Sequence, residues 1–210
     1  MCGRYYIAQE DNDEEIARII AILNKDAAQA AQIHRGEIFP SQTAPVIAMT
    51  PEGWTVKPMQ WGFMRPEGKG LVINSRSEKA DVTPMFRRAV REGRCLVPMS
   101  GFYEWRRGPD GRKTGEKYAF SLADGHAMFL AGVCTPSDCG PDRFAVLTQE
   151  ADDQMRPIHH RMPVILDSRQ ARHKWLFSPP SVSYSELKTL FAAPELIIRQ
   201  ADAAIQNRTL

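Results

Sequence analysis

The chain has no apolar run close to the roughly 20 residues needed to span a bilayer. Its start is acidic between Glu10 and Glu15, where a secretory leader would be basic and then apolar. A cytoplasmic protein with no membrane partner is expected. Cysteine is scarce: Cys2, Cys95, Cys134 and Cys139 are too few for a disulfide framework in 210 residues, so reduced thiols are expected. Cys134, Cys139, His159 and His160 do not fall at a standard zinc spacing, and no metal or other cofactor is expected. A surplus of one charge is also missing. A net charge of +2, from 27 basic and 25 acidic residues, excludes recognition of nucleic acid by bulk charge alone. Repeats, low-complexity segments and long linkers are absent. What remains, at 43% hydrophobic, is enough to bury one full core, and the chain reads as a single domain over 1–210 and as a monomer.

The distribution of charge says more than its sum. Arginine outnumbers lysine 19 to 8. Arg87, Arg88, Arg91, Arg94, Arg106, Arg107, Arg112 and Lys113 crowd one stretch as a candidate phosphate-facing surface, or else a solvated helix and hairpin face. Apolar spacing predicts a helix after Asp13 with Ile16, Ile19, Ile20 and Leu23 on one stripe. A second helix is predicted from Thr83 to Gly93, with Pro84 in its first turn. A third should follow Asp167 or Ser168 and bury Ala171, Trp175 and Leu176, and a fourth should run from Ser183 or Ser185 to just before Pro194. Strand-like runs lie at 43–49, 54–64, 94–106, 116–122, 127–134, 143–148, 163–166 and 196–199. Turn residues at 109–111 and 123–125 join consecutive runs, which predicts antiparallel hairpins. The expected class is α+β, a curved and mainly antiparallel sheet flanked by a few helices.

Cys2 carries the most specific chemistry. Removal of Met1 would leave one residue with both a free α-amine and a thiol. The amine condenses with an aldehyde to a Schiff base, and the thiol then adds to the imine carbon to close a thiazolidine. An α-amine with a pKa near ~7.7–8.0 is roughly a tenth neutral at pH 7, against a few parts in ten thousand for a lysine near ~10.4. The plainer alternative is that Cys2 is only a small residue that permits trimming of Met1.

Three further segments are richer in polar and aromatic residues than a strand requires: Asn74, Ser75, Arg76, Ser77, Glu78; then Gly101, Phe102, Tyr103, Glu104, Trp105; then His159, His160, Arg161, Met162, Pro163. Singly each has an ordinary explanation, with Asn74 in a turn, Glu104 on an exposed strand, His160 on the surface and Trp61 in the core. Together with Cys2, Gly3, Arg4, and with Phe39 to Gln42, Trp61, Gly62, Met85, Phe86 and Arg94 to Leu96, they resemble the SOS response-associated peptidase (SRAP) family from Met1 to about Leu166.

The resemblance implies a barrel-like sheet core and a protein that traps abasic sites in single-stranded DNA through Cys2, shielding the lesion during the DNA damage response. It implies a catalytic set of Cys2, Asn74, Glu104 and His160. Glu104 between aromatics would have its pKa raised by desolvation, which suits a proton acceptor and donor; His160 would shuttle protons, and Asn74 would orient the sugar or the amine. Arg4, Arg76 and Arg161 are the candidate phosphate contacts, and Pro40, Trp61 and Trp105 would stack on or wedge beside bases. The family name also implies removal of Met1 by Cys2 with help from Glu104, although an ordinary aminopeptidase would give the same product, and Schiff-base chemistry implies weak lyase activity. Two other readings stay open: a thiol peptidase acting in trans, and a non-covalent reader of single-stranded DNA.

Overall fold

The structure is a computed structural model and describes residues 2–8, 14–25, 34, 36–137 and 140–201. Asp13, expected to cap the first helix, and Cys139 lie outside the described residues. The first seven strands are β1 (Tyr5–Ile7), β2 (Gly36–Ile38), β3 (Thr43–Thr50), β4 (Gly53–Trp61), β5 (Phe63–Met64), β6 (Leu71–Val72) and β7 (Asn74–Arg76). The next seven are β8 (Arg94–Met99), β9 (Gly101–Arg107), β10 (Lys113–Leu122), β11 (Met128–Thr135), β12 (Arg143–Glu150), β13 (Arg161–Pro163) and β14 (Leu196–Ala201). Among the described residues the α-helices are α1 (Glu14–Leu23), α2 (Arg87–Glu92), α3 (Arg169–Phe177) and α4 (Tyr184–Leu187), the last continued by a 3-10 turn at Lys188–Leu190.

One sheet has the order β14-β10-β9-β1-β2. The larger sheet runs β11-β8-β3-β4-β12-β13, and an added β11–β12 pairing closes it on itself, while β7 pairs with β12. The α+β class with a curved, mainly antiparallel and barrel-like core is therefore what the chain adopts. β12 is the exception to antiparallel pairing, since it runs parallel to β4 and to β7.

The run at 94–106 is two strands, not one. All six residues of β8 are buried in the larger sheet, and the chain turns at Ser100 to enter the smaller one as β9. Ser100 fixes that corner: its N–H donates to Tyr6 O at 2.9 Å and its hydroxyl accepts the Ala8 N–H at 2.9 Å. Gly101 is required there, because a Cβ would sit 2.3 Å from Phe120 O. The hairpin expected across 123–125 does not form. β10 pairs with β9 and β14 while β11 pairs with β8 and β12, so this turn is a crossover between sheets. The hairpin across 109–111 does form, between β9 and β10.

Helices cover the barrel through the stripes the spacing predicts. Ile16, Ile19 and Leu23 of α1 are buried, as are Ala171, Trp175 and Leu176 of α3, each worth about 1.5–3 kcal/mol where a large apolar side chain is enclosed. Ser168 caps α3 by accepting the Ala171 N–H at 3.0 Å. The second helix is shorter than expected: 83–86 form a turn, and α2 begins only at Arg87. Thr83 Oγ1 donates back to Lys79 O at 2.6 Å, so the hydroxyl closes the preceding turn instead of capping a helix.

Candidate functional site

Short strand β1 decides where Cys2 goes. It is inserted between β2 and β9, with Tyr5 opposite Ile38 on one side and Phe102 on the other, and Tyr103 N–H donates to Arg4 O at 2.8 Å. Cys2 is thereby held at the end of an interior strand and is fully buried. Asn74, the first residue of β7, donates from Nδ2 to Cys2 O at 2.8 Å, while its Oδ1 is buried without a hydrogen-bond partner. The Asn74 amide thus grips the backbone of Cys2 and keeps one acceptor in reserve.

Alternation along β9 buries Phe102 and Glu104 and leaves Tyr103 and Trp105 half-buried on the other face. Glu104 is 3% exposed, and burial raises its pKa. The Cys2 thiol is pushed up to about 12, first by burial and then by the charge of Glu104, which places the two groups within electrostatic reach of each other. At neutral pH Cys2 is therefore a thiol and needs a base to become a nucleophile.

The histidine that meets Glu104 is His159, not the expected His160. His159 is buried and its Nε2 lies 3.8 Å from Glu104 Oε1. Its Nδ1 is 2.9 Å from Arg161 N and 3.1 Å from Arg161 O. In the tautomer in which Nδ1 accepts the Arg161 N–H, Nε2 carries the ring proton and turns it towards Glu104. Burial lowers the His159 pKa to about 4, so the ring is neutral at physiological pH. His160 stacks on His159 with centroids 4.5 Å apart but is exposed, and it lines a separate cleft of about 520 Å³ with Arg76, Glu150, Arg156 and Arg161.

Asn74 and Glu104 open into a cleft of about 370 Å³ whose wall includes Gly3, Arg4, Trp105, Arg107 and Lys113. Arg4 lies between two rings, 4.1 Å from the centroid of Phe39 and 5.0 Å from that of Trp105, and Lys113 covers Trp105 at 4.3 Å. An aromatic wall studded with cations is the composition that holds a nucleic-acid strand by stacking and charge. Pro40 is half-buried in the turn after β2, next to the exposed Phe39, and Arg76 is exposed.

Three expected contacts are placed elsewhere. Trp61 is fully buried, stacks on Phe144 at 6.2 Å, and donates Nε1–H to Ile73 O at 3.1 Å, so it is a core residue and cannot stack on a base. The Arg161 guanidinium is spent on Glu78, at 2.6 and 2.9 Å, and on Thr148 O at 2.6 Å. Its charge is matched internally, and it is not free for a phosphate. Arg94 leaves the candidate phosphate surface altogether, because it is buried and donates to the carbonyls of Trp175, Val90, Arg91 and Ser178. Arg107 and Lys113, from the candidate phosphate-facing stretch, line the cleft, and Phe39, which stood only among the matching residues, lies under Arg4.

Among the described residues no group of three or more histidine, cysteine or acidic side chains could hold a metal, and no helix is long and apolar enough to cross a membrane. The model of the SOS response associated peptidase (SRAP) family matches residues 1–207. Among curated proteins, the chain is 28% identical over 201 residues to the abasic site processing protein YoqW of Bacillus subtilis, covering 90% of this chain and 86% of that one. It is also 28% identical over 182 residues to the abasic site processing protein YedK of Escherichia coli, covering 84% and 79%. Among solved structures, a protein from Bacteroides thetaiotaomicron superposes with a TM-score of 0.75 at 19% identity, over 99% of this chain and 95% of that one.

Proposed function

Since the chain belongs to the SOS response associated peptidase (SRAP) family, we propose that it processes abasic sites in DNA, and that it does so by covalent capture in single strands through Cys2. The observation that carries this reading is the placement of Cys2. Its carbonyl is held by Asn74, its thiol is within reach of the charge of a buried Glu104, and the cleft beside it is walled by an aromatic and by cations.

The chemistry starts once Met1 has been removed. The α-amine of Cys2 adds to the aldehyde carbon of the ring-opened abasic deoxyribose and gives a carbinolamine. Loss of water leaves an imine. The thiol adds to the imine carbon, its proton passes to the imine nitrogen, and the net reaction of amine, thiol and aldehyde is one thiazolidine and one water. Glu104, with its raised pKa, is suited to protonate the departing hydroxyl and afterwards to take up the thiol proton. The neutral His159 beside it relays protons to and from the sugar oxygen. Asn74 fixes Cys2 and offers Oδ1 to the amine.

Removal of Met1 by the same groups, and slow strand cleavage through the imine before the thiol closes, belong to this reading. A thiol peptidase acting in trans fits less well, because the thiol is fully buried with its pKa near 12.

Intact mass spectrometry after mixing with a single-stranded oligonucleotide bearing one abasic site tests the proposal. The expected product is one protein lacking Met1 plus one oligonucleotide minus one water, stable to heat without borohydride and absent for Cys2→Ala. Protein that lacks Met1 and yields no adduct would refute it.

A further inference from the structure

Glu37 stands out among the groups the reaction does not use. A single oxygen, Oε1, lies 3.3 Å from Arg4 Nη1 and 2.9 Å from Lys117 Nζ. Both cations flank the aromatic wall: Arg4 is held between Phe39 and Trp105, and Lys117 lies 5.6 Å from the same Trp105 ring and 3.7 Å from the Tyr103 centroid. The three charged side chains are only 15–27% exposed, so the screening that makes surface pairs weak is reduced. One carboxylate oxygen bridging a guanidinium and an ammonium is also how a phosphodiester oxygen is held. The carboxylate comes from β2, the edge strand of its sheet, whereas Arg4 and Lys117 are tied to interior strands. The anion therefore sits on the element with fewer restraints and the cations on the fixed frame.

We propose that Glu37 is an internal anion occupying the position of a DNA phosphate, and that a bound strand exchanges its phosphodiester for this carboxylate on Arg4 and Lys117. This rests on the strand-binding reading above and adds a specificity determinant to it. A polyanion must outcompete a carboxylate already in place, so loosely fitting anions are rejected, and a strand whose bases also stack on Trp105 gains enough to displace it. The exchange also trims the salt dependence, because one of the two cations is already neutralised in the free protein.

The test uses fluorescein-labelled oligothymidylate without an abasic site, followed by anisotropy across a salt series, so that covalent capture plays no part. Glu37→Gln, which keeps the shape and removes the charge, is expected to bind at least fivefold more tightly at low salt. Its log–log salt slope should be steeper by roughly 0.7, the contribution of one additional phosphate neutralised on a single strand. Glu37→Asp should stay near the native protein. Glu14→Gln, which removes the same charge from an exposed pair with Arg18 on α1, should change nothing. Unchanged or weaker binding by Glu37→Gln, or equal tightening by Glu14→Gln, overturns the exchange and leaves the strand-binding reading standing. If neither the native protein nor Glu37→Gln binds the oligonucleotide at low salt, the strand-binding reading falls and the exchange falls with it.

Discussion

At the scale of single residues, the two adjacent histidines have opposite environments. His159 is enclosed against Glu104, while His160 looks into solvent. A positioned acid or base contributes about 10²–10⁴ in rate. Under the proposed mechanism, His159→Gln should slow adduct formation by roughly 100-fold and His160→Gln by less than about 3-fold. Single-turnover gel assays decide this, and a larger effect at His160 would reverse the assignment.

Burial of His159 also has a stability signature. Its pKa falls from 6.5 to about 4 on folding, so between those values the unfolded chain binds a proton that the native one refuses. Stability is therefore expected to drop as pH falls from 6.5 towards 4, by up to about 3 kcal/mol from this residue. Denaturant titrations of His159→Gln over that window should show a flatter profile. Glu104 has the opposite sign, because its raised pKa means that the ionised form is the one disfavoured by folding. Glu104→Gln should raise the melting temperature at neutral pH while abolishing capture.

The choice between the histidines was not legible in the sequence, because neighbouring residues share every local signal and differ only in which way the backbone turns them. Asn74 and Glu104 were visible as members of segments more polar than a strand needs, and their grouping with Cys2 came from the family resemblance. That Asn74 holds the backbone of Cys2 was not, since it depends on a contact between residues 72 positions apart.

At the scale of elements, Arg94 joins parts that share no sheet. Its guanidinium serves carbonyls at the C-terminal ends of both α2 and α3, where the helix dipoles concentrate negative potential. Arg94→Met keeps much of the volume and removes every donor. It should cost about 3 kcal/mol, read as a fall of roughly 6–12 °C in melting temperature, with Arg94→Lys recovering only part because one ammonium cannot reach all the carbonyls. The helices themselves were visible in advance because α1 and α3 are long enough for the 3.6-residue period to repeat. β1, β2 and β7 have three residues each, less than two alternations, and leave no periodic trace. Position 94 reads in the sequence as one more cation in a basic stretch, and only the two helix ends brought together over it reveal its use.

At the scale of the whole molecule, the larger sheet closes while the smaller one ends in β2 and β14. Closure depends on β12, which pairs antiparallel with β11 and parallel with β4, a strand far away in the sequence, and no turn residue announces that parallel pairing. The smaller sheet is sealed on one side only by the six pairs between β10 and β14. Ending the chain at Pro194 would uncover β10 as a long edge, so a lowered melting temperature together with concentration-dependent association is the expected result by calorimetry and light scattering.

The insertion of β1 between β2 and β9 has a mechanical consequence. A load applied at Cys2, whatever is attached there, enters the protein at the end of an interior strand and runs along its axis. A strand at a sheet edge would peel away one bond at a time. β1 can leave only by breaking its bonds on both flanks together, and it draws Tyr5, buried against Trp61, along with it. Cys2 is thus fastened to a strand gripped on both flanks, which suits a residue proposed to stay attached to a long polymer.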